Sequence, residues 1–157
     1  YMGEDNDYDG IGDTPYTLEG QNDTCPLMGP YRPFKLLDGK IIGIISNSTV
    51  TEFNYTDDDK KIALKVAGQS GSRGFCLIKI PDVIQDSCLN VTVNGKAPLK
   101  VNVNDEGNFT LLYILYLHEL DENRIEIIIP EHSLCLIIFL AASTLPVVLR
   151  KRALGKN

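Results

Sequence analysis

Four aspartates near the start of the chain have the type and spacing of ligands in a cation-binding loop. Residues 5–13 read Asp-Asn-Asp-Tyr-Asp-Gly-Ile-Gly-Asp, with Gly10 at the point where an EF-hand-type loop turns sharply. Four carboxylates within nine residues repel one another unless a divalent cation neutralises them. The pattern therefore predicts a structural Ca²⁺ site. The predicted ligands are the side chains of Asp5, Asp7, Asp9 and Asp13 and the backbone carbonyl of Ile11.

The end of this loop departs from an EF-hand. Its twelfth position is Tyr16 rather than a bidentate Glu, and no flanking helices are predicted. The loop therefore resembles thrombospondin-type or dockerin-like calcium loops, in which the ion is structural. A solvated acidic linker is the alternative interpretation, because residues 1–23 hold seven acidic and no basic side chains.

Other residues give little support for catalysis. His118-Glu119 begins like the zinc-protease motif H-E-x-x-H, but Glu122 replaces the second His and the segment ends a predicted strand. With two His in the chain, no Ser-His-Asp or Cys-His set is indicated. We read the chain, which begins at Tyr1, as a fragment, and we do not expect this fragment to be an enzyme, although the assignment stays open.

Strands rather than helices must position these residues. Apolar and polar side chains alternate through residues 35–130 in seven or eight short runs, which predicts a mainly β fold with an antiparallel Ig-like sandwich. Asn94-Gly95 predicts a two-residue hairpin, with the return strand beginning near Leu99. Tyr113 and Tyr116 point to opposite faces of their strand, so only one of them is expected in the core.

The remaining zones complete the expected organisation. Residues 1–32 are loop-like, and residues 133–149 form an uncharged run of 17 residues at the short end of membrane-spanning lengths. The basic tail at 150–157 predicts a cytoplasmic C-terminus and an extracellular body, so we expect a single-pass cell-surface protein with the membrane as partner. A buried core helix or a final strand is the alternative for residues 133–149.

Five N-x-S/T sequons support an extracellular location, since chance predicts roughly one. A simple abundance of Asn and Thr on β-sandwich surfaces is the alternative. The candidate acceptors are Asn22 and Asn108 in predicted loops, Asn54 and Asn90 on polar strand faces, and Asn47.

Cysteine usage and charge add two further expectations. Cys76 and Cys88 lie in the same predicted domain and are able to pair in an oxidising compartment, or they are simply small buried hydrophobic residues. The net charge is −6, and four of the 15 basic residues lie in residues 150–157, so the body is strongly acidic. We therefore expect no nucleic-acid partner.

Two stretches resemble a known family. Asp7-Tyr-Asp-Gly-Ile-Gly-Asp-Thr-Pro-Tyr16 followed by Cys25-Pro-Leu-Met-Gly-Pro30 resembles the segment that ends NosD-like right-handed parallel β-helix surface proteins, which are frequent in archaea. Gly74-Phe-Cys-Leu-Ile-Lys-Ile-Pro81 and Val91-Thr-Val-Asn-Gly95 are similar to the β-sandwich that follows such helices. Ile-Pro-Glu131 is similar to the start of archaeal anchor or sorting signals, which commonly continue with Phe-Pro where this chain has His132-Ser133.

The resemblance implies that residues 1–32 are the end or cap of a β-helix. Any sugar binding or lyase chemistry would lie in upstream repeats, so no family catalytic residue is transferred. The first functional hypothesis is a glycosylated stalk that presents the upstream β-helix and tethers it to a membrane. The alternatives are a module whose sandwich recognises extracellular polysaccharide, and part of a polysaccharide lyase or hydrolase.

Overall fold

The structure, a computed structural model, describes residues 4–7, 10–58, 60–81 and 89–129. Within these residues all strand pairs are antiparallel and there is no helix, so the mainly β, antiparallel prediction is confirmed. The strands are β1 (Tyr16–Leu18), β2 (Gln21–Asp23), β3 (Tyr31–Lys35), β4 (Ile41–Ser46), β5 (Thr49–Thr56), β6 (Lys61–Ala67), β7 (Arg73–Ile80), β8 (Asn90–Val93), β9 (Lys100–Asp105), β10 (Thr110–Leu117) and β11 (Glu122–Ile128).

Nine of these strands form two sheets on either side of one apolar core. The larger sheet has the order β3-β4-β7-β10-β9, and the smaller sheet has the order β5-β6-β11-β8. Hairpins join β3 to β4, β5 to β6 and β9 to β10, whereas the chain changes sheets after β4, β6, β7, β8 and β10. The result is a two-layer, sandwich-like arrangement.

Alternation along the strands explains why the two sheets share a core. In β6, Ile62, Leu64 and Val66 are buried while the residues between them are more exposed, and Ile125 and Ile127 repeat the pattern in β11. Side chains of the larger sheet meet them from the other side. These are Ile42, Ile44, Cys76, Ile78, Leu112, Ile114 and Tyr116.

The centre of the larger sheet is buried on both faces. Phe75, Leu77 and Tyr113 form a second apolar cluster on its outer face, and Met28 packs against this cluster from the segment before β3. Gly10 also approaches closely, since a Cβ added there would lie 2.6 Å from Leu77 Cδ2. The N-terminal segment therefore covers the outer face of the larger sheet.

The hairpin expected at Asn94-Gly95 is only half formed. The two residues have φ of 52° and 75° and close a tight turn, in which Val93 and Lys96 exchange backbone hydrogen bonds of 2.8 and 3.0 Å. The predicted return strand does not pair with β8, because β8 pairs with β11 and the chain crosses to the larger sheet as β9. Pro98, which has no N–H to donate, ends the pairing at this crossing.

Two further predictions differ from the structure. Both Tyr113 and Tyr116 are buried, with 6% and 1% exposure, because the N-terminal segment covers the face to which Tyr113 points. Asn22, expected in a loop, lies in β2. In addition, β3 begins at Tyr31, so the larger sheet starts slightly before the predicted 35–130 boundary.

Candidate functional site

The acidic loop folds back on itself around Gly10. This residue has φ of +79°, a left-handed conformation that glycine adopts readily. Its backbone N–H donates to Asp5 Oδ2 at 3.2 Å. Across the loop, Asp13 Oδ2 accepts from the backbone N–H and from Nδ2 of Asn6, at 2.7 and 2.9 Å. The ends of the loop are thus brought together, as the calcium-loop pattern requires.

The described carboxylates of the loop, which are those of Asp5, Asp7 and Asp13, do not form a metal-binding cluster. Among the described residues, which exclude Asp9, no three His, Cys, Asp or Glu side chains are placed to hold a metal ion. The donor set is nevertheless all oxygen: Asp5, Asp7, Asp13 and the carbonyl of Ile11. Oxygen donors fit a hard cation such as Ca²⁺. Both Asn6 contacts are made to Oδ2 of Asp13, and none of these contacts tests whether an ion binds, so the Ca²⁺ site stays a prediction.

Backbone hydrogen bonds connect this loop to the larger sheet. Ile11 forms an antiparallel β-bridge with Leu27, and the Met28 N–H donates to the Gly10 carbonyl oxygen at 2.9 Å. Because Met28 also packs against the outer apolar cluster, the position of the loop is coupled to the sandwich.

The predicted glycosylation sites are all exposed, and one of them, Asn47, is held to a neighbouring strand by hydrogen bonds at both ends of its amide. Asn47 Oδ1 accepts from the Phe75 N–H at 2.8 Å, and Asn47 Nδ2, the atom that would carry a sugar, donates to the Arg73 carbonyl oxygen at 3.2 Å. This side chain therefore links the β4–β5 turn to β7. The exposed acceptors are Asn22, Asn47, Asn54, Asn90 and Asn108.

A buried chain of polar side chains lies at one end of the sandwich, and sequence reasoning missed it. His118 is 2% exposed, and its Nε2 lies 2.9 Å from Ser48 Oγ while its Nδ1 lies 2.7 Å from Asn123 Nδ2. The Tyr116 hydroxyl donates to Ser48 Oγ at 2.8 Å, and any side chain at Gly68 would collide with the His118 ring. Ser48 and His118 are 70 residues apart, so no short motif reveals them.

The direction of these hydrogen bonds is fixed from the backbone. The Arg124 N–H donates to Asn94 Oδ1 at 2.8 Å, so Asn94 Nδ2 donates to Asn123 Oδ1 at 2.7 Å. Asn123 Nδ2 must then donate to His118 Nδ1, which leaves the imidazole proton on Nε2, facing Ser48. A general base for Ser48 would need a lone pair on Nε2. This Ser-His-Asn set therefore has the wrong tautomer for nucleophilic catalysis and serves as a structural network.

Desolvation sets the protonation of the groups in and beside this network. Burial lowers the pKa of His118 and raises the pKa of Tyr116, so both side chains are neutral near pH 7. Burial also raises the pKa of the Cys76 thiol, which lies 3.4 Å from Ser46 Oγ. Cys76 is a free thiol, and its suggested disulfide partner Cys88 lies outside the described residues.

The fold and the acidic loop define a class of protein: a β-sandwich module with a candidate cation loop packed on its larger sheet. No protein-family model, curated protein or solved structure matches the chain. No helix within the described ranges has the length and apolar character needed to cross a membrane. The predicted anchor at 133–149 and the tail at 150–157 lie outside those ranges.

Proposed function

We propose that this chain is a non-catalytic module of a cell-surface protein, which presents an upstream β-helix domain outside the cell and tethers it to the membrane through residues 133–149. In this proposal the sandwich is Ig-like and Ca²⁺ has a structural role. The observation that carries the proposal is the coupling of the acidic loop to the sandwich, through Gly10 on Leu77 and Met28 on the outer cluster. An ion bound in this loop would stabilise the body of a stalk.

The surface of the smaller sheet supports the same function. Charged side chains on its outer face pair with one another, as in the 2.7 Å contacts of Glu52 with Lys65 and of Lys61 with Glu126. Asn54 and Asn90 lie exposed on its two edge strands, β5 and β8. Glycans at these positions would help to keep the edges from pairing with other strands, a hazard of exposed sheet edges.

Calcium-dependent stability tests the structural role of the ion. The whole chain, stripped of divalent ions in detergent micelles, is unfolded thermally under far-UV circular dichroism with and without Ca²⁺. A ligand that binds only the folded state at about 100 times its Kd stabilises by about 2.7 kcal/mol. We expect Asp7→Asn to lose most of this gain and Asp23→Asn, an exposed carboxylate in β2 outside the loop, to keep it. Equal gains in both variants would show that the loop is not the calcium site.

Membrane attachment is tested independently of calcium. We expect the whole chain to float with lipid vesicles and a version ending at residue 129 to remain in the soluble fraction. Protease added outside sealed cells should remove the sandwich and spare the basic tail at 150–157. A chain that fails to float, or a tail that is cut from outside, would contradict the tether.

A further inference from the structure

The edge strands of the two sandwich sheets, β3, β5, β8 and β9, differ in their protection against pairing with another strand. β3 contains Pro33, which has no N–H to offer, and β5 has a bulge between Val50 and Glu52. β8 has only four residues and begins at the predicted glycosylation site Asn90. Proline, bulges and short length are common protections of a sheet edge. β9 has none of these, because its six residues include no proline and pair with β10 in continuous register.

The outer edge of β9 presents the backbone groups of alternate residues. The Glu106 N–H donates to the Phe109 carbonyl oxygen at 3.0 Å, which closes the β9–β10 hairpin. Hydrogen-bonded and non-hydrogen-bonded pairs alternate along an antiparallel ladder, so the even-numbered residues of β9 bond to β10. The backbone groups of the odd-numbered residues, centred on Val103, therefore point away from the sheet. No further strand of the described residues lies on that side of β9.

One face of β9 has opposite charges at its two ends. Asn102 is the register partner of Tyr113, which belongs to the outer apolar cluster, so the even-numbered residues of β9 lie on the outer face of the larger sheet. On this face the strand begins with Lys100, and the same alternation continues into Glu106 just beyond its end. The Glu106 carboxylate has no hydrogen-bond or ion-pair partner among the described residues. A strand with one positive and one negative end is complementary to an antiparallel copy of itself.

We propose that β9 pairs with the β9 strand of a second copy of this chain, across a two-fold axis at Val103. In this register Val103 faces its own copy and Val101 faces Asp105 of the second copy, so about six backbone hydrogen bonds form between the outward-pointing groups. Moving the axis to Asn102 would leave about four of these bonds. The larger sheets of the two copies then form one continuous sheet.

Side chains on the outer face favour the same register. Lys100 lies opposite Glu106 of the second copy at both ends of the interface, and Asn102 lies opposite Asn104 between them. Opposite charges that face each other across a strand pair are stabilising, whereas like charges are destabilising. One strand pair buries little surface, so we expect a weak association that is favoured when two chains share a membrane or a micelle. The interface goes beyond the structural role proposed above and does not depend on calcium.

Cysteine cross-linking tests the register. The whole chain is made in a host without N-glycosylation, with Cys25, Cys88 and Cys135 replaced by Ala, and is oxidised mildly in detergent micelles. Asn102 and Asn104 of the second copy form a non-hydrogen-bonded pair, whose Cα atoms lie about 4.5 Å apart, a distance that a disulfide spans. An equal mixture of Asn102→Cys and Asn104→Cys chains should therefore cross-link at least about tenfold faster than either variant alone.

Charge exchange in the same mixture tests the contact between Lys100 and Glu106. Glu106→Lys places like charges opposite each other at both ends of the interface and should slow cross-linking about tenfold. Lys100→Glu together with Glu106→Lys restores opposite charges and should recover most of the rate. The control is Asp58→Lys, which makes the same charge change in the exposed β5–β6 turn and should leave the rate unchanged. Circular dichroism shows that each variant is folded.

Three results would overturn the proposal. The first is a mixture that cross-links no faster than Asn102→Cys or Asn104→Cys alone, because the strands would then not meet in this register. The second is an equal effect of Glu106→Lys and Asp58→Lys on the rate. The third is a folded double variant that cross-links as slowly as Glu106→Lys.

Discussion

Replacing Asn123 with Asp is expected to reverse the pH dependence that His118 gives to folding. In the native network Asn123 donates to His118 Nδ1, so that atom cannot carry a proton, and burial lowers the pKa of His118 below its ordinary value of 6.5. The unfolded chain therefore takes up the proton first. The stability that His118 contributes is present above about pH 6.5 and is lost as the pH falls below it.

In Asn123→Asp the carboxylate accepts from Nδ1–H while Ser48 Oγ still accepts from Nε2–H, so the imidazolium has a partner at each nitrogen. The pKa of His118 should then lie above 6.5, and its contribution is present at low pH and lost as the pH rises. One linked proton changes the free energy of unfolding by at most about 1.4 kcal/mol per pH unit. The lost hydrogen bond from Asn123 to the Leu120 carbonyl adds a pH-independent cost of about 1–3 kcal/mol.

Urea unfolding of the whole chain, followed by circular dichroism between about pH 5 and pH 8, measures both slopes. His132→Gln removes the other histidine, and Asn104→Asp adds the same charge at an exposed position on β9. The free energy of unfolding should rise with pH in the parent and fall with pH in Asn123→Asp, after correction for Asn104→Asp. Slopes of the same sign in both proteins would refute the assigned tautomer.

Two further substitutions test contacts that the sequence does not reveal. In urea unfolding, Asn47→Ala should lower the free energy of unfolding by about 1–3 kcal/mol, because it leaves the Phe75 N–H without its partner. The control, Asn108→Ala at an exposed position, should lower it by less than about 0.5 kcal/mol. In thermal unfolding, Gly10→Ala should destabilise the protein more than Gly107→Ala. Both glycines have φ near +79°, but only at Gly10 would the added Cβ collide with Leu77. Equal losses of stability would mean that backbone strain alone is the cause.

The fold class follows from the sequence because strand alternation is a local signal. The runs around Ile62 and Ile125 alternate between buried apolar residues and more exposed ones, and the run around Leu112 is buried along most of its length. Neither pattern has the 3.6-residue period of an amphipathic helix. The position of a turn is equally local, and Asn94-Gly95 does form one. Which strand the chain pairs with after the turn depends on contacts that are remote in sequence. The crossing from β8 to β9 was therefore not predictable from the turn.

The acidic loop shows the same division between local and remote information. The need for a left-handed glycine at Gly10 follows from spacing alone, and the structure has it. The packing of that glycine on Leu77 does not follow, because the two residues are far apart in the chain. The hydrogen bonds among Ser48, His118 and Asn123 were missed for the same reason, since each of the three residues is common on protein surfaces when considered alone.

A calcium ion in the loop would also stabilise the segment that covers the outer face of the larger sheet. Phe75, Leu77 and Tyr113 form an apolar patch that would be exposed if the N-terminal segment detached. Few apolar side chains hold that segment, and its two-stranded β1–β2 hairpin is exposed and too small to be stable alone. An ion that orders residues 5–13 would therefore supply much of the stability that the segment lacks. In that case the loop and the sandwich unfold as one cooperative unit, and calcium binding is measurable in the stability of the whole domain.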